Sequence, residues 1–348
     1  MSTPLTSHLP PALSPARLRE MLEVMVLARA VDERQWLLNR GGRQPFHISC
    51  QGHEAAQVGS AFALEPGTDV LVGYYRSLAA CLAFGMTARD AFLAALARAE
   101  DPSTGGRQMP AHLGPRALNI MTTSSSVGTQ IPHAVGAALA SKLRGDGALA
   151  IVYFGDGATS KGDFHEGLNF AAVHKLPVLF VCENNHLAIS APTCQQMAVA
   201  RVADRAPGYG MPGVSVDGTD ALAVYAATAE AAARARAGQG PTLIDANVVR
   251  LTPHSSDDDD RRYRAEDDRE EARRRDPIPR LRDELRAPGV LDDATEAAMR
   301  ERVRTTVEAA LAYAEAATDP EPGTALDHLY ADWRPRDLKA GLRAGWSW

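Results

Sequence analysis

The chain reads as an α/β protein: a mostly parallel sheet flanked by helices, in one large domain with N- and C-terminal helical extensions. Three observations predict this. Ala148–Phe154 (ALAIVYF) and Pro177–Cys182 (PVLFVC) are continuous apolar runs bounded by turns, as expected of strands covered on both faces. Gly162 to His174 between them is helical in pattern, so the three form a β-turn-α-β unit with parallel strands and a right-handed crossover. Each run also ends in oxygen-bearing residues: Gly155-Asp156-Gly157 after the first, Asn184-Asn185 after the second. Those ends are the carboxyl ends of neighbouring strands, where open α/β sheets bind ligands.

Residues 1–15 are polar and proline-rich, lack the order of a signal peptide, and read as a flexible arm. Ser14-Pro15 starts a helix, with serine as cap and proline in the first turn. Leu18, Met21, Leu22, Met25 and Ala28 keep one apolar face, carrying it to about Asn39 before Gly41-Gly42. Glu54 to Leu64 is a second helix, and Ala88 to Ala99, capped by Thr87, a third. Asp101 to Pro115 is a loop, and a small-residue helix runs from about Pro132 to Leu143. After the central unit come a helix over Ala221–Ala237, a strand over Thr242–Leu251 and a charged loop from Ser255 to Arg264. Helices near Pro279–Arg286 and Asp292–Ala316 close the domain, which spans 16–336 and precedes a tail at 337–348.

A net charge of -6 with no basic, aromatic-interleaved patch disfavours nucleic acid. No apolar run reaches membrane-spanning length. Cys50, Cys81, Cys182 and Cys194 form no C-x-x-C pair and read as reduced thiols of a cytoplasmic protein.

Magnesium prefers six oxygens and takes few from protein when phosphates supply others. Asp156 offers a carboxylate, Asn185 an amide oxygen, and the backbone beyond it a carbonyl. Glycines flanking Asp156 let the backbone approach a diphosphate, and a helix starting near Lys161 aims its N–H groups at the same anion. Alone, Gly-Asp-Gly could be a tight turn with Asp156 as helix cap; the double asparagine favours the metal. Ser160 stands at the third glycine position of G-x-G-x-x-G, and no G-K-[ST] occurs, so a dinucleotide or P-loop site is disfavoured and thiamine diphosphate favoured.

GHEAAQVGSAFAL (from Gly52), YYR (from Tyr74), GRQMPAHLG (from Gly106), TQIPHAVGAA (from Thr129), FGDGATSKGD (from Phe154), ENNHLAIS (from Glu183), GYGMPGVSVDG (from Gly208) and PHSSDDDDRRYR (from Pro253) occur in one order along the chain. In them the chain resembles the alpha subunit of the thiamine-diphosphate-dependent decarboxylating component of 2-oxo acid dehydrogenase complexes, nearest the branched-chain type. The resemblance implies the thiamine-diphosphate-binding fold. It implies magnesium on Asp156, Asn185 and the Leu187 carbonyl. Tyr74, Tyr75 and Arg76 would face the diphosphate, with Gly155, Gly157, Ala158, Ala188 and Ile189 completing the cofactor cradle. Ser125 and Val127 lie where the family contacts the aminopyrimidine and props the cofactor in its bent form; the family usually has a larger aliphatic residue at the Val127 position.

Ser124, Thr129 and Gln130 match a potassium site of some members; capping a helix is the other reading of Ser124 and Thr129. His254 matches the family histidine near the diphosphate and the reacting carbon, where an imidazole titrating near neutrality suits proton handling. Ser255 matches a phosphorylation target of some animal members. Taken generically, Asp257–Arg264 is a solvated, flexible loop; in the family it orders with cofactor. Phe46, Tyr75, Met109 and His112 match the acyl pocket, or are ordinary core. Lys161 departs from the usual Glu or Gln.

The implied activity is oxidative decarboxylation of a 2-oxo acid with reductive acylation of a lipoyl group. In the family, the glutamate that acts on the aminopyrimidine belongs to a beta subunit. The chain is therefore expected to be inactive alone, to form an α2β2 heterotetramer, and to meet the lipoyl domain of an acyltransferase. Pyruvate or acetoin dehydrogenation, a transketolase-like carboligase and a silent scaffold subunit are the alternatives.

Overall fold

Successive side chains of a strand point to opposite faces of its sheet, and here both faces are apolar and covered. The structure is a computed structural model that describes residues 13–327, so the expected arm up to residue 12 and the tail at 337–348 lie outside the described residues. In chain order the helices are α1 (Pro15–Arg40), α2 (Glu54–Ala61), α3 (Leu78–Ala83), α4 (Ala88–Ala95), α5 (Gln130–Arg144), α6 (Gly162–Val173), α7 (Thr193–Gln196), α8 (Ala221–Arg236), α9 (Glu266–Arg274), α10 (Pro277–Arg286) and α11 (Asp293–Ala316). The strands are β1 (Val70–Val72), β2 (Ile120–Met121), β3 (Ala150–Gly155), β4 (Val178–Asn184), β5 (Leu187–Ala188), β6 (Ala191–Pro192), β7 (Gly213–Asp217) and β8 (Thr242–Asn247). The main sheet has six strands in the order β2-β1-β3-β4-β8-β7, and every pairing is parallel. β5 and β6 form a separate antiparallel ribbon.

Period-2 alternation divides the interior into two cores. Leu71, Ile151, Tyr153, Leu179, Val181 and Ile244 pack with α1, α2, α3 and α8. Val72, Val152, Phe154, Val178, Phe180 and Leu243 pack with α5 and α6 through Ile131, Val135, Phe164 and Leu168. The parallel pairing of β3 with β4 sets Phe154 opposite Cys182 and Gly155 opposite Glu183, so the two polar ends emerge side by side. That register is what the two apolar runs predicted.

The helix signals translate into contacts. Ser14 accepts a hydrogen bond from the Arg17 amide at 3.3 Å, with Pro15 at the first helical position. Thr87 and Asp90 form a reciprocal capping box. Several boundaries differ from expectation. α4 ends at Ala95, since Ala97 turns left-handed at φ 52°. α5 begins at Gln130, because Pro132 is tolerated in a first turn whose N–H groups have no helical acceptors. β8 ends at Asn247, not Leu251: the Val248 amide makes the last ladder bond, to Asn184 O, and the Leu251 amide donates off the sheet to Gln51 O. β1, β2, β7, α3 and α9 were not expected. β1 and β2 span three and two residues, too short for a period. β7 is an edge strand with no buried residue.

A buried ion triad joins the N-terminal helices to the C-terminal ones. Arg29 of α1 donates from Nε to Glu54 Oε1 at 2.6 Å and from both terminal nitrogens to Asp276 at 3.0 and 3.1 Å. Glu54 is fully buried and also accepts from the Gly52 amide at 2.7 Å, while Asp276 caps α10. Removing one partner leaves a buried charge unmatched, at a cost of about 3–5 kcal/mol. Arg29→Met should lose about that much in denaturant unfolding; a change under about 1 kcal/mol would show that the triad is not holding these helices together.

Candidate active site

Each functional segment leaves the carboxyl end of a sheet strand. Tyr74-Tyr75-Arg76 follow β1, Ser124 to Gln130 follow β2, and Gly155-Asp156-Gly157 close β3. Asn185 to Ile189 follow β4, and Arg250 and His254 follow β8. Because all strands of the main sheet are parallel, these ends share one edge of it, and each segment contributes residues to one cavity of about 430 Å³, Arg250 lying in an adjoining hollow that shares Asn185 and Leu187. Of the expected residues, the wall contains Phe46, Tyr74, Tyr75, Arg76, Ser124, Ser125, Val127, Gln130, Gly155, Asp156, Gly157, Ala158, Asn185, Leu187, Ala188, Ile189 and His254. Met109, His112 and Thr129 are not in it. A larger cleft of about 870 Å³ lies between Trp36 of α1 and the 252–261 loop and contains none of the expected ligands.

Asp156 starts a five-residue 3₁₀ segment, Asp156–Ser160, that separates β3 from α6. α6 itself starts only at Gly162, with Lys161, which lines the cavity, as its N-cap residue. Burial raises the Asp156 pKa against the opposing hydrogen bond from Gln196. A Cβ on Gly157 would stand 2.9 Å from the Ala188 Cβ, so glycine lets this turn touch the β5–β6 ribbon; a Cβ on Gly155 would meet nothing within 4 Å. Asn185 accepts from the Leu187 amide at 3.2 Å. His186 and Ile189, at φ 64° and 57°, bracket the ribbon strand Leu187–Ala188 in left-handed backbone, strain of the kind that gathers at functional sites. Behind Asn185, His53 Nε2 faces its Nδ2 at 3.5 Å, and His53 Nδ1 lies 3.4 Å from Glu183 Oε1. Burial holds the His53 pKa down, against the Glu183 charge.

Positive charge gathers opposite. Arg76 and Arg250 are each about 2% exposed, and neither is ion-paired to a carboxylate among the described residues. Arg76 donates to Ser49 O and, at 3.3 Å, to His254 O. Arg250 donates to Ile189 O at 3.1 Å and to Tyr263 Oη at 2.7 Å, leaving its buried Nε without a partner. Burial and the charge of Arg76 lower the Arg250 pKa. Burial, then Arg76 and Arg250, bring His254 down to about 4, against Asp258. Two buried guanidiniums without a counter-ion fit a dianionic group such as a diphosphate.

The segment before Arg76's acceptor is fixed by Asp32 of α1. This buried carboxylate accepts from Ser49 Oγ at 2.8 Å, the Cys50 amide at 2.7 Å and Gln51 Nε2 at 3.0 Å, and it faces His47 Nε2 at 3.3 Å. Phe46 and Ile48 are thereby held in the cavity wall. On the β2 side, His112 Nδ1 faces the Met109 and Pro110 carbonyls at 3.2 and 3.1 Å. Its proton therefore belongs on Nδ1, and Nε2 accepts from Ser125 Oγ at 2.6 Å. His112 thus reaches the cavity through Ser125, while Met109 stands 53% exposed outside it. Thr129 stands at the N-cap position of α5 but makes no capping bond; its hydroxyl donates to Ser126 O at 2.8 Å. Gln130 donates to Tyr153 O, and its buried Oε1, in a residue of the cavity wall, has no partner.

The loop after His254 differs from a solvated run. Asp258 accepts from the His254 amide at 2.7 Å and from Tyr263, and buried Asp260 pairs with Arg264 at 3.0 Å. Its acidic and basic residues pair with one another, so the run is locally folded and not a solvated charge run. Sequence reasoning missed Arg250, His53, Glu183 and Gln196; only for Arg250, four residues before His254, was there a signal, an arginine ending an apolar strand.

A parallel sheet whose strand ends converge on a buried cationic cavity, with an Asp and an Asn on adjacent ends, is the arrangement of a diphosphate-binding enzyme subunit. The chain belongs to the dehydrogenase E1 component family, whose pattern matches residues 22–323. It is similar to the 2-oxoisovalerate dehydrogenase subunit alpha of Bacillus subtilis, 52% identical over 312 residues that cover 90% of this chain and 94% of that one. It is also similar to the pyruvate dehydrogenase E1 component subunit alpha of Staphylococcus aureus, 39% identical over 335 residues, 96% of this chain and 87% of that one. The corresponding Staphylococcus epidermidis subunit is 38% identical over 335 residues.

His254 sets a pH signature. In the folded chain it titrates at about 4, below the value of about 6.5 for an unfolded imidazole. The unfolded chain binds that proton first, so this contribution to stability is complete above about pH 6.5 and is lost as the pH falls toward 4. His254→Asn should flatten the dependence of Tm on pH across that window; a slope equal to wild type would mean that the imidazole is not withheld from protons.

Proposed function

We propose that this chain is the alpha subunit of a branched-chain 2-oxo acid dehydrogenase. In this reading it holds thiamine diphosphate through Mg²⁺ and acts in an α2β2 heterotetramer that acylates the lipoyl domain of an acyltransferase. The observation that carries the reading is the cavity in which the buried, uncompensated Arg76 meets a strand-end carboxylate and amide, with a second unpaired guanidinium, Arg250, bound to the carbonyl of Ile189 in its wall. The 52% identity to the 2-oxoisovalerate subunit supports the branched-chain substrate class.

Asp156, Asn185 and the Leu187 carbonyl would hold the magnesium, and a single carboxylate leaves coordination places for phosphate oxygens. Bound thiamine diphosphate would supply the carbon nucleophile and the electron sink for decarboxylation. Arg76 and Arg250 would bind the diphosphate, and each anionic oxygen so held relieves their mutual repulsion. Val127 on the cavity wall would support the bent cofactor, and Ser125, as donor to His112, turns its remaining oxygen lone pairs to whatever lies beside it. His254, neutral near pH 7, can accept a proton once phosphate charge offsets its two arginines. Phe46 and Tyr75 would give the substrate an aromatic wall suited to an aliphatic side chain. Ser124, Thr129 and Gln130 remain a candidate potassium set, with the unpartnered Gln130 Oε1 as its best oxygen.

A second reading, pyruvate as substrate, draws on the 39% identity to the pyruvate dehydrogenase subunit. Purified chain, reconstituted with its beta subunit, thiamine diphosphate and Mg²⁺, should give higher kcat/KM with branched 2-oxo acids than with pyruvate. Pyruvate ranking first would favour the second reading, and no turnover of any 2-oxo acid would leave a scaffold subunit. Asp156→Ala should abolish thiamine diphosphate retention while the circular dichroism stays native; unchanged cofactor affinity would refute the ligand assignment.

A further inference from the structure

Gln196 lies outside every set of residues expected from the sequence, yet it makes the one side-chain hydrogen bond to the Asp156 carboxylate seen among the described residues. It is the last residue of α7, the single turn that follows the β5–β6 ribbon. Its Nε2 donates to Asp156 Oδ2 at 2.7 Å and to Ala191 O at 2.8 Å. Both neighbours of that atom are acceptors only, so the amide cannot be turned over without setting oxygen against oxygen. Its Oε1 is buried without a partner, so the two Nε2 contacts alone dictate the orientation.

The position gives this contact its meaning. Asp156 directly follows β3, whereas Ala191 belongs to β6, which pairs with Leu187–Ala188. One amide therefore ties the carboxylate at one strand end to the ribbon that carries the Leu187 carbonyl. It also occupies one carboxylate oxygen, leaving Oδ1 as the oxygen presented to an ion. The α7 turn is anchored in its own right, since the Thr193 amide donates to His186 O at 3.2 Å and the Met197 amide to Thr193 O at 3.0 Å. The ribbon is further located by the contact of Gly157 with Ala188.

We infer that Gln196 is the positioning residue of a divalent-cation site: it aims Asp156 and sets its distance from the Leu187 carbonyl. This rests on the metal reading of Asp156 proposed above. Outer groups of this kind typically change metal affinity by about 10–100-fold when removed.

The test uses the chain assembled with its beta subunit, titrating Mg²⁺ at fixed thiamine diphosphate and measuring retained cofactor, with the Tm of the cofactor-free assembly beside it. Gln196→Met keeps the length without the donor, and Gln196→Ala removes both; Asp156→Ala is the control. The expected result is an Mg²⁺ midpoint raised about tenfold or more in both Gln196 variants, with unchanged cofactor-free Tm and retention restored by excess Mg²⁺. Wild-type midpoints in both variants, with Asp156→Ala defective, would overturn the positioning role alone. A fall in cofactor-free Tm that excess Mg²⁺ does not offset would make the role structural and overturn it as well. Wild-type retention by Asp156→Ala would overturn the metal reading and this inference together.

Discussion

Two positive charges are buried where no carboxylate among the described residues pairs with them. Arg76 and Arg250 come from loops after different strands and share the carboxyl edge of the sheet, where burial and the Arg76 charge lower the Arg250 pKa. Removing each guanidinium from water costs several kcal/mol unless an anion answers it. Every backbone carbonyl they hold (Ser49, Ile189, His254) is a partial answer. The carboxylates in reach go elsewhere: Glu54 to Arg29, Asp32 to the 47–51 segment, Asp258 to Tyr263 and the His254 amide, Asp260 to Arg264. Among the described residues neither arginine has a directly paired carboxylate, although Asp156 and Asp258 act on Arg250 at longer range, and an anion-shaped demand is left at the sheet edge. Neutral His254 follows from its burial first and from the same field second.

That arrangement explains why the scaffold behind the cavity is so heavily polar. Asp32 receives four polar neighbours, and burial works to raise its pKa while His47 and the donors hold it below the ordinary carboxylate value. Its consequence is local: the 46–51 segment cannot drift, so Ser49 O stays under Arg76 and Phe46 stays in the wall. Gln57 acts similarly, donating to Arg76 O and to Glu183 while accepting from the Ala79 and Ala80 amides. Buried polar groups that are fully engaged specify one geometry, and these lie directly beneath the residues whose placement matters.

The sequence carried the central β3-α6-β4 unit plainly, because long apolar runs with turn residues at both ends have few alternatives. The positions of Asp156 and Asn185 on adjacent strand ends follow from that unit alone. β1 and β2 were invisible for a physical reason: strands of three and two residues have no period to display. Their loops, bearing Arg76 and Ser125, were placed by resemblance instead of by pattern. Arg250, His53 and Gln196 act through side-chain contacts made between segments distant in sequence, such as the 40-residue separation of Gln196 from Asp156. No local composition encodes such a contact. The folded 255–264 loop was hidden for the opposite reason, since its acids and bases look solvated until their mutual pairing is seen.

The cavity has two characters, and the strand order assigns them. β3, β4 and β8, adjacent in the sheet, bring Asp156, Asn185 and His254 to its wall, while β1 beside β3 brings Arg76. The charged and oxygen-rich end therefore lies over the sheet centre, where four strand ends can reach one small, highly charged group. β2 is the edge strand, and its loop brings Ser125 and Val127, less polar and more exposed. A ligand matching this cavity must carry its phosphates toward the centre and a flat, weakly polar body toward the edge. Val127 is 38% exposed at that edge, and Ile189 is 56% exposed on the ribbon. Such apolar surface around a cavity mouth is consistent with a site closed by a second polypeptide, which is the place a beta subunit would take. On the reading proposed above, the chain would build the half of the pocket that needs a rigid central sheet, and a partner would cover the outer face of the cofactor.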